Sequence, residues 1–109
     1  MSAHTVGSSE VALRIAHDHP AFAGHFPGQP LLPGVVLLAE VLEALLDAPA
    51  LAALVGAAPR IAAAKFLAPV RPGAALTIRL DPGPRGNVRF EVREGERIAA
   101  SGQFEASSA

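Results

Sequence analysis

The chain has 109 residues, a formal net charge of −1 and no cysteine. That length predicts one domain spanning 1–109, small enough for self-association to be a useful way of burying further surface. The near-neutral charge gives no basis for nucleic-acid or anionic-membrane binding, and the missing cysteine excludes disulfide and thiol chemistry. Half of the residues are hydrophobic, yet no charge-free apolar run is long enough for a transmembrane helix, so no membrane insertion is expected. Met1 to Glu10 is polar and lacks the apolar core of a signal peptide, which makes a soluble, cytoplasmic domain the expectation.

Residues 1–9 read as a flexible start. From Glu10, apolar Val11, Leu13 and Ile15 alternate with Ala12, Arg14 and Ala16, the period-two pattern of a half-buried strand. His17-Asp18-His19-Pro20 ends it, and Phe22 is an anchor candidate under the loop that follows. A helix is predicted from near Pro33 or Gly34 to about Ala48, stopped by Pro49. Its only charged residues, Glu40, Glu43 and Asp47, share one narrow stripe, so the helix is expected to be buried over most of its circumference. Ala50 to Gly56 reads as a short second helix or turn, closed by Gly56 and Pro59. Strands are predicted over Arg60 to Ala68, Ala75 to Leu80, around Val88, Phe90 and Val92, and over Arg97 to Glu105. Pro69 to Gly73, Asp81 to Gly86 and Glu94-Gly95-Glu96 supply the turns, and 106–109 is a flexible tail. One strand, one long helix and four strands joined by hairpins make an α+β arrangement, a sheet wrapped around the helix.

The stretch from Gly24 to Glu43, GHFPGQPLLPGVVLLAEVLE, carries most of the chemistry. Proline fixes φ and glycine reaches angles closed to other residues, so Pro27-Gly28, Pro30 and Pro33-Gly34 describe a stiff, bent segment. His25 is held inside it, as a positioned general base requires, and an imidazole of ordinary pKa suits proton abstraction near neutrality. The segment feeds directly into a helix start, where unpaired N–H groups and the helix dipole favour developing negative charge. A base and an oxyanion site are thereby close in sequence.

His17 and His19 flank Asp18, but a metal needs three or four convergent ligands, and no HxxxH motif or cysteine cluster supplies them, so no metal is expected. Arg60, Lys65 and Arg71 could form a basic patch for an acidic partner or a phosphate; solvated surface charge is the plainer reading.

The strand, the GHFPGxPxxPG motif and the apolar helix resemble the hot-dog-fold β-hydroxyacyl-acyl carrier protein dehydratases. The resemblance runs from about Val11 to Glu105, with Lys65-Phe66 and Pro69-Val70-Arg71-Pro72-Gly73 similar to the family's strand after the helix. The stretch HDHPAFAGHFPGQPLLPGVVLLAEVL is most like small, divergent members, some of them associated with polyene or specialised lipid pathways.

The resemblance implies two subunits joined edge to edge as a homodimer, or three such dimers, with each site at the interface. It implies dehydration of a 3-hydroxyacyl thioester to a trans-2-enoyl product. The substrate would be carried on the phosphopantetheine of acyl carrier protein, with no further cofactor. His25 takes the place of the catalytic base and Gly34 of the glycine whose N–H polarises the thioester carbonyl. Phe26, Leu31, Leu32, Val36 and Phe66 are candidates for the substrate tunnel. The family's Glu or Asp falls fourteen residues after the histidine, where this chain has Ala39. Glu40 is the candidate replacement, although one residue of helix turns it by about 100°; Glu43 lies about 6 Å further along the axis. Two other readings follow from Ala39: an acyl-thioester binding or partner subunit without full activity, and a hot-dog thioesterase.

Overall fold

The computed structural model describes residues 6–16, 18–19 and 32–107. In chain order these form β1 (Ser9–Arg14), α1 (Gly34–Leu46), α2 (Pro49–Val55), β2 (Pro59–Phe66), β3 (Ala75–Pro82), β4 (Val88–Glu94) and β5 (Arg97–Ala106). The strands make one antiparallel sheet in the order β1-β3-β4-β5-β2. The sheet curls around α1 and α2, as the α+β reading requires.

Alternation along the strands builds the core. Cross-strand register lines up Val11, Ile78, Val92, Ala100 and Phe66 in one row of the inner face. Val88 and Phe104 face one another in a second row, and the rings of Phe90 and Phe104 lie 5.4 Å apart in a tilted pair. Leu37, Val41, Ala44 and Leu45 of α1 and Leu51 and Val55 of α2 close the core from the other side. Pro49 does more than stop the first helix. It occupies the first turn of α2, where its missing N–H costs nothing, and Gly56 at φ 80° ends that helix.

Two expectations change. β2 does not follow its neighbours by hairpins: it leaves the chain order, crosses to the far edge of the sheet and pairs with β5. Only β3–β4 and β4–β5 are hairpin pairs; β2 and β3, consecutive in the chain, are not neighbours in the sheet. The second change concerns α1, which is not buried around most of its circumference. Its core face is a single stripe, while Val35 is 74% exposed and Leu46 55%. At about 100° per residue, Val35, Ala39, Leu42 and Leu46 share a second stripe, and Glu40, Glu43 and Asp47 a third.

The outer face of the sheet is polar. A bulge between Ile61 and Ala63 in β2 puts Arg60 and Lys65 on this same face, although they are five apart in sequence. Arg60 pairs with Glu105. Lys65 borders a shallow depression with Arg79 and Arg89 that does not include Arg60 or Arg71, so these three basic residues do not form one patch. At the β1 end, Ser8 Oγ donates to the Asp81 carboxylate, and Arg79 bridges Asp81 (3.0 Å) and Glu10 (2.8 Å). The hydroxyl of Ser8, and then Arg79, hold the Asp81 carboxyl below its ordinary pKa. A depressed folded-state pKa adds stability above the unfolded value and loses it as pH falls through the folded one. Urea unfolding from about pH 5 to about pH 2 is therefore expected to show a shallower acid-side loss of stability in Asp81→Asn than in the parent.

Candidate active site at the start of the long helix

Where α1 begins, the local sequence leaves backbone donors open. Pro33 is the N-cap and has no side-chain oxygen to accept from the first turn, and the first turn contains no acidic residue. The amides of Val36 and Leu37 both reach the Pro33 carbonyl, at 3.0 and 3.2 Å. Those of Gly34 and Val35 have no acceptor among the described residues. Two unpaired N–H groups at the positive end of a 13-residue helix suit an oxygen that gains negative charge.

Gly34 borders an apolar cleft of about 500 Å³. Leu32, Gly34 and Leu37 form one wall and Phe66, Leu67, Ala68, Pro69 and Val70 the other. Backbone bonds between the walls hold it in shape. Leu32 N–H donates to the Val70 carbonyl at 2.8 Å, tying the entry of α1 to the turn that follows β2. Leu67 N–H donates to Ala99 O at 2.8 Å, at a register shift where β5 bulges against β4. On the other side of the same turn, Gly73 N–H donates to Ile15 O and Ile15 N–H to Ala74 O, at 2.8 and 2.9 Å. The described chain thus runs out of β1 and back into α1 beside one segment, 70–74.

Gly34 is a glycine for a steric reason. A Cβ built there would lie 2.7 Å from Phe66 Cζ and 2.9 Å from Cε1, closer than carbon atoms pack. The Phe66 ring therefore stands directly over the helix start, although it is 52% exposed overall.

The remaining sequence candidates separate. Leu32 and Phe66 line the cleft with Gly34. Val36, about 200° around the helix from Gly34, packs against the core instead. Glu40 and Glu43 border a different, smaller groove with Val11, Leu13 and Ile78. β1 and β2 are opposite edges of the sheet, so the carboxylate of Glu40 lies on the β1 side and the cleft on the β2 side. Ala39 is exposed on the second stripe of α1. His25, Phe26 and Leu31, together with Phe22 and His17, lie outside the described residues. Sequence reading missed Leu37, Leu67, Ala68, Pro69 and Val70 as lining residues. The last four belong to a proline-rich turn, and nothing in a turn's composition says which wall it will form.

The family model described as ApeI-like, ApeI dehydratase, matches residues 2–103. The chain belongs to the ApeI-like dehydratase family. It is 31% identical over 98 residues to a 3-hydroxyacyl-[acyl-carrier-protein] dehydratase FabZ of Desulforamulus reducens, an alignment covering 83% of this chain and 69% of that protein. Among solved structures it superposes on the dehydratase heterocomplex ApeI:P from Xenorhabdus doucetiae with a TM-score of 0.74 at 24% identity, covering 93% of this chain and 88% of that one. It also superposes on an acyl-CoA hydrolase from Staphylococcus aureus with a TM-score of 0.64 at 18% identity, covering 93% and 63%. At these identities the superpositions speak for the hot-dog fold, which hydrolases share; the family rests on the sequence match.

Substituting Gly34→Ala is expected to cost about 1 kcal/mol in urea unfolding, at the low end for overpacking because the half-exposed ring can swing aside. In the Phe66→Ala background the same change should cost markedly less, since the two sites are in contact and their effects do not add.

Proposed function

We propose that the chain dehydrates 3-hydroxyacyl thioesters presented on acyl carrier protein, giving trans-2-enoyl thioesters for fatty acid or related lipid synthesis. The observation that carries this reading is the open helix start. Two amides at the start of α1 have no acceptor among the described residues, and Gly34, the first of them, borders an apolar cleft nine residues after a histidine in GHFPG, in a chain of a dehydratase family. The thioester carbonyl oxygen accepts from Gly34 N–H, which favours the enolate-like charge that forms when C2 loses its proton. His25 takes that proton. The C3–O bond then breaks, and the hydroxyl leaves as water with a proton returned by the imidazolium or by a carboxylic acid. Leu32, Leu37 and Val70 give the acyl chain an apolar surface, and the confinement of both reacting groups supplies part of the rate.

The acid of such an elimination is not supplied by Glu40 of the same chain, which lies on the β1 side. A second subunit is the natural source. β2 is a bare sheet edge, with Ile61, Phe66 and Leu67 between 42% and 57% exposed. The stripe of Val35, Ala39, Leu42 and Leu46 faces away from β1, so an edge-to-edge pair covers both surfaces at once. A second copy of this chain would then offer Ala39 to its neighbour, and a different subunit could offer a carboxylate. The ApeI:P heterocomplex, a dehydratase assembly of two kinds of chain by its own description, makes the partner-subunit reading the specific second hypothesis. The thioesterase reading has fold-level support alone.

The deciding measurement is enoyl formation from a carrier-bound 3-hydroxyacyl thioester. Wild type is expected to turn over, His25→Ala to lose about 100-fold or more, and Glu40→Gln to stay within a few-fold of wild type. A wild type that is inert alone but active with a second subunit would establish the partner reading; thiol release without enoyl product would establish hydrolysis. Assembly is tested separately. Light scattering should show a dimer, and Val35→Lys should shift it toward monomer, because it sets a charge into the covered stripe.

A further inference from the structure

The flank of the Gly34 amide is filled by an aromatic ring that proton abstraction does not itself require. Three ring atoms of Phe66 lie 2.7, 2.9 and 3.1 Å from the position of a Cβ on Gly34. The ring therefore already excludes a methyl-sized volume beside the donor. Its position is fixed from below by the pairing of Phe66 with Ala100 in the sheet, and from the next residue by the bond of Leu67 N–H to Ala99 O. A carbonyl oxygen accepting from Gly34 N–H brings its own carbon and then C2 alongside this ring. C2 is the carbon that must lose a proton, and whatever else it carries has to find room next to Phe66.

We propose that Phe66 is the specificity-determining residue of the cleft: its ring admits acyl thioesters unbranched at C2 and selects against those bearing a 2-methyl group. This rests on the dehydratase reading, in which Gly34 N–H holds the thioester carbonyl. The added methyl has the size of the Cβ that the ring excludes at Gly34. Because the ring is 52% exposed, it can be pushed aside at a cost, so the selection is graded. A single extra methyl group in a tight pocket commands about tenfold or more.

The test is calorimetric titration of 3-hydroxybutanoyl-pantetheine amide and of its 2-methyl analogue, as both 2-epimers, into the full chain. The amides are inert because nitrogen replaces the thioester sulfur. Wild type is expected to prefer the unbranched ligand by about tenfold, Phe66→Ala to bring the two within about twofold, and Phe66→Leu to fall between. Circular dichroism verifies that each variant is folded. Equal binding of the two ligands by wild type, a preference that survives in Phe66→Ala, or no measurable binding of either would overturn the assignment. The corresponding thioester pair reads the chemistry apart from the selection. If neither is dehydrated while the amide preference holds and vanishes in Phe66→Ala, the dehydratase reading fails and the size selection stands. If both are dehydrated with equal efficiency, the selection is wrong and the dehydratase reading stands.

Discussion

The backbone bond from Leu32 N–H to the Val70 carbonyl, 2.8 Å long, is the contact on which the site depends. It joins the residue just before α1 to the turn just after β2, two places 38 positions apart in the chain. Without it, the open amides of the helix start would face solvent, where water satisfies them and their charge is screened. With it, Gly34 faces a wall of Phe66, Leu67 and Val70. Both residues of the bond are buried, at 8% and 3% exposure, and a buried backbone pair that loses one partner leaves the other unsatisfied. The same turn is held from its other end by Ile15. One short proline-rich segment thus gathers the end of β1, the start of α1 and the end of β2.

The three stripes of α1 divide three tasks. Leu37, Val41, Ala44 and Leu45 anchor the helix in the sheet. Glu40, Glu43 and Asp47 keep the β1 flank soluble, next to a groove too small to hold an acyl chain. Val35, Ala39 and Leu46 leave an apolar flank that is exposed among the described residues, with the partly buried Leu42 beside them. The open helix start and the apolar flank use different parts of the same element. The alanine at position 39 belongs to that flank and does not line the cleft.

Irregularities in the sheet serve the site as much as its regular pairing does. The shift between Ile61 and Ala63 returns Arg60 and Lys65 to one face, which leaves Ile61, Ala64 and Phe66 pointing inward. The register change opposite Val92 and Arg93 leaves both Ala99 and Ala100 buried. It also sets the Ala99 carbonyl where it receives the amides of Leu67 and Ala68. Small residues at 99 and 100 are what allow a phenylalanine ring to sit above the end of β2 and reach the helix.

Local signals were legible in the chain wherever they act over a few residues. Alternation marked β1, β3 and β4, and the turn at Glu94-Gly95-Glu96 marked β5. The Pro-Gly pair marked the start of α1 at Gly34, and Pro49 and Gly56 bracketed α2. The choice of glycine at the helix start could be read as a conformational preference, and the GHFPG motif pointed to the base. What the tertiary structure decided is everything that depends on which distant segments meet. It moved β2 to the far edge beside β5, because strand order is set by which distant segments pair in the packed sheet rather than by order in the chain. It placed Glu40 away from the cleft, since a helical residue's direction has meaning only once the helix is docked. It also showed that the space beside Gly34 is taken by the ring of Phe66, thirty-two residues later. Composition and spacing fix the local geometry through backbone sterics; only packing says which side chain fills the space that a glycine leaves.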